Sequence, residues 1–219
     1  MGIIRYLDSD PILFISLVIC LIFSLCFHEY AHGITAYYYG DDTAFNYGRL
    51  TLNPLAHLDP IGSLMILFIG IGYAKPVPVN QMKLNNPRLD IIKVAAAGPI
   101  SNLILCFFGI LFFHIIEPLP AHSTYLFLQI FISINAALAV FNLLPVYPLD
   151  GGQIFGNLLI NKYPAFSRNL LLYGPKVLLG VILIGLLTGY SILWLIIGPV
   201  INFIINGFEI IILLLLNIF

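Results

Sequence analysis

The chain has 219 residues, 60% of them hydrophobic and 9% charged, with a formal net charge of −1 and a mean hydropathy of +1.02. These values exclude an ordinary water-soluble domain, and with no basic cluster they give no reason to expect a nucleic-acid partner. They describe an all-α polytopic membrane protein, residues 1–219 forming one membrane-embedded domain in a lipid bilayer.

In chain order, Pro11 to Tyr39 is the first expected spanning helix, closed by the interfacial aromatic belt Tyr37-Tyr38-Tyr39. Gly40-Asp41-Asp42 is a turn. Residues 43–52 alternate enough to suggest one or two short strands. Residues 53–60 form a polar loop bracketed by Pro54 and Pro60. Residues 61–74 are apolar, but as a helix they would cover only about 21 Å against about 30 Å of hydrocarbon, so they read as a re-entrant or membrane-edge segment. Lys75 to Val79 is extended by its prolines. Further spans are expected over about 91–116, 124–144, 170–187 and 191–217, with an amphipathic stretch at 153–169. The total is five to six transmembrane helices with a short re-entrant or strand segment near the candidate site. Cys20, Cys26 and Cys106 form no paired framework and read as packing residues. His114 and His122 are expected at the opposite membrane face, and Glu209 is an unexplained carboxylate in the last span.

The first helix carries His28-Glu29-Tyr30-Ala31-His32 after an uncharged run from Pro11 to Phe27. Ionisable groups at that depth are expensive and face a cavity with a partner. Residues four apart share a helix face, so His28 and His32 can direct one nitrogen each at a single Zn²⁺, with Glu29 beside them to take a proton from water. A hydrolytic zinc site needs a third ligand, and His57, Asp59, His114 and Asp150 are candidates. Asp150 is preferred. It follows the helix-breaking Pro145 and Pro148, and Gly151 and Gly152 permit close approach. Its span ends on the side that also carries Lys162, which the positive-inside rule makes cytoplasmic. For His28 to meet it, the first helix must run from outside to inside. This puts the N-terminus outside, the C-terminus inside, and the site near the cytoplasmic face of the cell membrane.

Three stretches, His28 to His32, Ala97 to Asn102 and Asn142 to Gly152, resemble the site-2 protease family of intramembrane zinc metalloproteases, in a small form without room for a PDZ or CBS domain. The resemblance covers about residues 15–160. It implies a catalytic core over about 11–160 with accessory helices over about 170–219. It further implies one zinc ion held by His28, His32 and Asp150, Glu29 as general base, and Asn142 and Asn102 at substrate or the developing oxyanion. The expected substrate is a membrane-anchored protein cut within its transmembrane segment. The alternative from another class is a membrane metal-ion transporter, which would spread its ligands along a path through the bilayer and would have no need of Glu29 in particular.

Overall fold

The computed structural model describes residues 2–70 and 72–216. In chain order its helices are α1 (Tyr6–Ser9), α2 (Pro11–Tyr38), α3 (Thr43–Asn46), α4 (Pro54–His57), α5 (Pro60–Ile69), α6 (Pro87–Ile116), α7 (Ser123–Asn142), α8 (Asp150–Leu159), α9 (Pro164–Thr188) and α10 (Ile192–Leu216). Five of them, α2, α6, α7, α9 and α10, are long and apolar enough to cross a membrane. The molecule is an all-α polytopic membrane protein.

Four helices begin at an Asp or Asn followed by Pro. Asp10, Asn53, Asp59 and Asn86 each accept a backbone N–H of the first turn, from Leu13, Leu55, Gly62 and Leu89, and the next residue is Pro11, Pro54, Pro60 or Pro87. The side-chain oxygen satisfies an otherwise orphaned donor, and proline at the first helical position lacks the N–H that would be orphaned. This chemistry starts α6 at Pro87 and not near 91, and it turns part of the loop at 53–60 into α4.

α6 is the central element, packing against α2, α7, α8 and α10. Cys106 and Ile110 of α6 share a core with Ile132, Ala136 and Val140 of α7 and with Ile197, Ile201 and Ile212 of α10. All three cysteines are free and buried, as expected for packing residues. Farther along, Phe208 meets Phe107 with ring centroids 5.5 Å apart, and Glu209 lies 3.5 Å from the His114 ring nitrogen. Glu209 thus has a partner, and His114 faces it from α6. These contacts place the last third of α10 beside the last third of α6, so the two helices run in the same sense. Leu216 therefore lies at the end of the bundle where α6 stops, away from Asp150. This corrects the expectation that the last span ends on the Asp150 side. α9 packs on α8 and α10 and is otherwise nearly unburied. It begins at Pro164, six residues before the expected span, and α8 takes the first part of the expected amphipathic stretch.

The segment 58–74 does not cross the bundle. α5 has 10 residues and ends at Gly70, whose φ of 88° is the left-handed conformation glycine adopts without strain. The returning chain passes so close that a Cβ on Gly62 would lie 2.0 Å from the Tyr73 carbonyl oxygen. Lys75 N–H then donates to His57 O at 2.8 Å, which joins the two ends of the excursion. The segment therefore leaves and returns at one place in the bundle, in keeping with its short length.

The strands expected over 43–52 are not formed, and no strand occurs among the described residues. Asp41, fully buried, explains why. Its Oδ1 accepts the Thr43 N–H at 3.0 Å and the Thr43 hydroxyl, which winds residues 43–46 into a helical turn. Local Asx-turn chemistry outweighs a weak alternation of side chains. Its Oδ2 accepts the Asn80 N–H at 2.6 Å and so ties down the extended residues 75–80, here called the strap. Removing a carboxylate that satisfies these partly buried donors leaves them unpaired, at up to about 1–3 kcal/mol each. Asp41→Ala should lower the thermal unfolding midpoint in detergent and expose 43–53 and 75–80 to limited proteolysis, whereas Asp42→Ala, whose half-exposed carboxylate pairs with Lys83, should do neither.

Candidate active site

His28 and His32 lie one turn apart on α2, and α6 fixes the orientation of both rings. His28 Nδ1 is 2.6 Å from Asn102 Oδ1, and His32 Nδ1 is 2.7 Å from the Val94 carbonyl oxygen. The direction of each bond can be derived. Asn135 Nδ2 donates to Phe131 O, so Asn135 Oδ1 must accept, and it accepts from Asn102 Nδ2, which also donates to Ser24 O. Asn102 therefore turns its oxygen to His28. Since a carbonyl oxygen only accepts, both imidazoles carry a proton on Nδ1, and as neutral rings, the form that binds metal, they turn Nε2 lone pairs inward.

Asp150, at the start of α8, closes the cluster. The two Nε2 atoms are 3.1 Å apart, and Asp150 Oδ2 and Oδ1 lie 3.2 Å from His28 Nε2 and 3.4 Å from His32 Nε2. Asp150 Oδ2 is buried and takes no hydrogen bond. Acceptors thus face acceptors in a buried site, an arrangement that calls for a cation. Ligand atoms about 2.0–2.1 Å from a tetrahedral zinc are about 3.3–3.4 Å apart, so the three observed spacings suit one ion held by His28, His32 and Asp150. The other proposed ligands are elsewhere. His57 Nε2 donates to Thr51 O, Asp59 caps α5, and His114 faces Glu209.

Glycines make the closeness possible. A Cβ on Gly98 would lie 2.4 Å from His32 Nε2 and 2.6 Å from His28 Cε1, so only glycine lets α6 pass under both rings. A Cβ on Gly151 would lie 2.3 Å from the Leu143 and Leu144 carbonyl oxygens, and one on Gly152 would lie 2.5 Å from Tyr147 N. The segment that approaches Gly151 and Gly152 is therefore the loop just before Asp150.

Glu29 borders a cavity of about 390 Å³ together with His28, His32, Val77, Asn142 and Asp150. Its Oε2 accepts the Val77 N–H at 2.8 Å. Asn142 Nδ2 donates to Leu138 O, which leaves its second N–H free to face the cavity. Asn102 is placed differently from the expectation that paired it with Asn142. It is fully buried, does not line the cavity, and acts on His28. Sequence reasoning passed over Asn135, whose one signal is an amide in an apolar helix, and Val77, whose contribution is a backbone N–H that carries no side-chain signal.

Long apolar helices around a His-His-Asp cluster with a neighbouring glutamate define a metal-dependent hydrolase of the membrane. Residues 110–182, which include Asn142 and Asp150, match peptidase family M50. YwhC of Bacillus subtilis (strain 168), provisionally named a zinc metalloprotease, is 50% identical over 151 residues, covering 65% of this chain and 68% of YwhC. Rip2 of Mycolicibacterium smegmatis, provisionally named likewise, is 33% identical over 165 residues, covering 68% of this chain and 62% of Rip2. Rip2 of Mycobacterium tuberculosis (strain H37Rv), with the same provisional name, is 33% identical over 150 residues, covering 63% of this chain and 55% of that protein. The chain thus spans less than two thirds of either Rip2. No solved structure matches significantly. The chain belongs to peptidase family M50 and is a zinc metalloprotease.

Gly98→Ala should leave helix content unchanged by circular dichroism while most of the zinc is lost on metal analysis. Asn102→Leu should weaken zinc about 10–100-fold in chelator competition, the usual cost of removing the group that orients a ligating histidine.

Proposed function

We propose that this protein is an intramembrane endopeptidase that hydrolyses peptide bonds within transmembrane segments of membrane-anchored substrates, as in regulated intramembrane proteolysis. In this reading His28, His32 and Asp150 hold one zinc ion, Glu29 is the general base, and Asn142 donates to the developing oxyanion. The observation that carries it is the cluster of inward-turned acceptors on long apolar helices, with a carboxylate on the same cavity. His28 lies about 25 Å along α2 from Pro11, well inside the span.

Bound zinc supplies a Lewis acid that polarises a peptide carbonyl and makes water acidic. The remaining steps belong to this chain's residues. Glu29 takes the proton from the attacking water through the oxygen not held by Val77 and returns it to the leaving amine. Asn142 aims its free N–H at the carbonyl oxygen as negative charge develops there. A helical substrate hides its carbonyls in its own hydrogen bonds and must be unwound before attack. The strap supports binding of such an extended stretch, because it is itself extended, lacks a strand partner among the described residues and borders the cavity at Pro76, Val77 and Val79.

We further propose that the site faces the cytoplasm. Arg49, Lys75, Lys83, Arg88, Lys93, Lys162 and Arg168 are in or beside the segments that follow α2, precede α6 or follow α8, all at the Asp150 end, and such an excess of positive charge marks the inner side.

The deciding experiment compares Glu29→Gln and Asp150→Ala with wild type in vesicles that also contain a single-span model substrate. Glu29→Gln should keep its zinc and lose cleavage by about 10²–10⁴-fold, and Asp150→Ala should lose both. Undiminished cleavage by Glu29→Gln, or zinc uptake into vesicles by a wild type that cuts nothing, would overturn the reading.

A further inference from the structure

The strap brings one backbone donor to the carboxylate of Glu29. Over residues 76–78 the sequence is Pro-Val-Pro, and proline has no N–H, so Val77 carries the sole donor in that stretch. That donor meets Glu29 Oε2 at 2.8 Å. No neighbouring residue could replace it by a shift of register.

The strap is held on both sides of Val77. Arg49 Nη2 donates to the Lys75 carbonyl oxygen at 2.8 Å and to that of Pro76 at 3.3 Å, gripping the peptide just before Val77. Lys75 N–H is bonded to His57 O at 2.8 Å, and beyond Val77, Asn80 N–H is bonded to Asp41 Oδ2 at 2.6 Å. Beneath it lies Gly33, one turn past Glu29 on α2. A Cβ there would lie 3.2 Å from Leu50 Cδ1 and 3.3 Å from Val77 Cγ1, closer than side chains comfortably pack. The Val77 side chain, 7% exposed, fills that notch. Arg49, Asp41 and His57 are not among the three residues of the metal cluster. Their contacts converge on the placement of one N–H.

We propose that Arg49 is a positioning residue for Glu29, acting through the Pro76-Val77-Pro78 strap, whose Val77 N–H holds one carboxylate oxygen and so leaves the other aimed at the reacting water. This rests on Glu29 being the proton acceptor. A glutamate side chain is long and flexible, and a charge-assisted bond from a fixed backbone donor selects one orientation before substrate arrives. Misplacement of a reacting group by about 1 Å can reduce rate about 100-fold, so a side chain that never touches substrate can control turnover.

The test uses the full-length, zinc-loaded protein in detergent. Hydrogen exchange is followed in peptides covering residues 74–80, and zinc content is measured in parallel. The Val77 amide should be protected in wild type and exchange at least about tenfold faster in Glu29→Ala, which removes its acceptor. Arg49→Ala should speed the same amide at unchanged zinc content. In vesicles with the single-span model substrate, Arg49→Ala should lower kcat about 10–100-fold with KM within about twofold, and Arg49→Lys, able to reach one of the two carbonyls, should recover part of it. Equal Val77 exchange in wild type and Glu29→Ala would overturn the proposal, as would an Arg49→Ala that raises KM alone. The exchange readout needs no catalysis, so failure of the strap contact is distinguishable from failure of the protease reading, which Glu29→Gln tests by itself.

Discussion

The hydrogen bond from His28 Nδ1 to Asn102 Oδ1 is the constraint on which the rest of the site depends. It is one step in a directed chain that starts at the Phe131 carbonyl on α7, runs through Asn135 to Asn102 on α6 and ends at His28 on α2. Each amide oxygen in it is forced by the donor before it, so the proton position on the imidazole is set by a backbone carbonyl two helices away. The core helices are tied together by the same atoms that orient the ligand. Fully buried amides are costly unless satisfied, and here Asn102 and Asn135 satisfy each other and the neighbouring helices. The arrangement resists rearrangement because any flip would strand a buried donor.

Around that fixed centre the chain uses two kinds of structure for two tasks. Regular helix fixes the two histidines: α2 carries them, α6 orients their rings through Asn102 and the Val94 carbonyl, and Gly98 lets the two helices approach to ring contact. Irregular backbone supplies the walls of the cavity: the loop before Asp150 on one side and the strap on the other. Both irregular pieces are hydrogen-bonded at several points, and each is anchored by a buried side chain, Val77 in the strap and Leu149 in the loop.

The meeting of His28, His32 and Asp150 and the helical class were legible because each depends on short-range rules. His28 and His32 share a face by helix geometry alone, and an apolar run interrupted by Pro145 and Pro148 marks the one place where Asp150 can turn inward. The failure of 58–74 to cross the bundle followed from its length. The start of α6 was also available in the sequence, in Asn86-Pro87, but hydropathy drew attention to where the apolar residues begin and away from the cap. The strand expected at 43–52 failed because one buried carboxylate, Asp41, recruits Thr43, and burial of Asp41 is decided by α2 and the strap together. The direction of α10 and the pairing of Glu209 with His114 depend on which helix faces which, information that no local pattern contains. Asn102 was recognised as a site residue, but its role as the orienter of His28 emerges only when α2, α6 and α7 are brought together.

An isolated extended segment usually presents a row of open donors and acceptors, an invitation for any strand-like chain to pair with it, including another copy of itself. Pro76 and Pro78 have no donors to offer, and the one N–H between them is turned to Glu29. Two such stretches brought side by side would set carbonyl against carbonyl and could not zip together, while an unwound polypeptide that brings its own N–H groups still finds acceptors. The same three residues that steady the carboxylate thus protect the cleft from becoming a self-association edge in a membrane where copies of the protein are crowded into two dimensions.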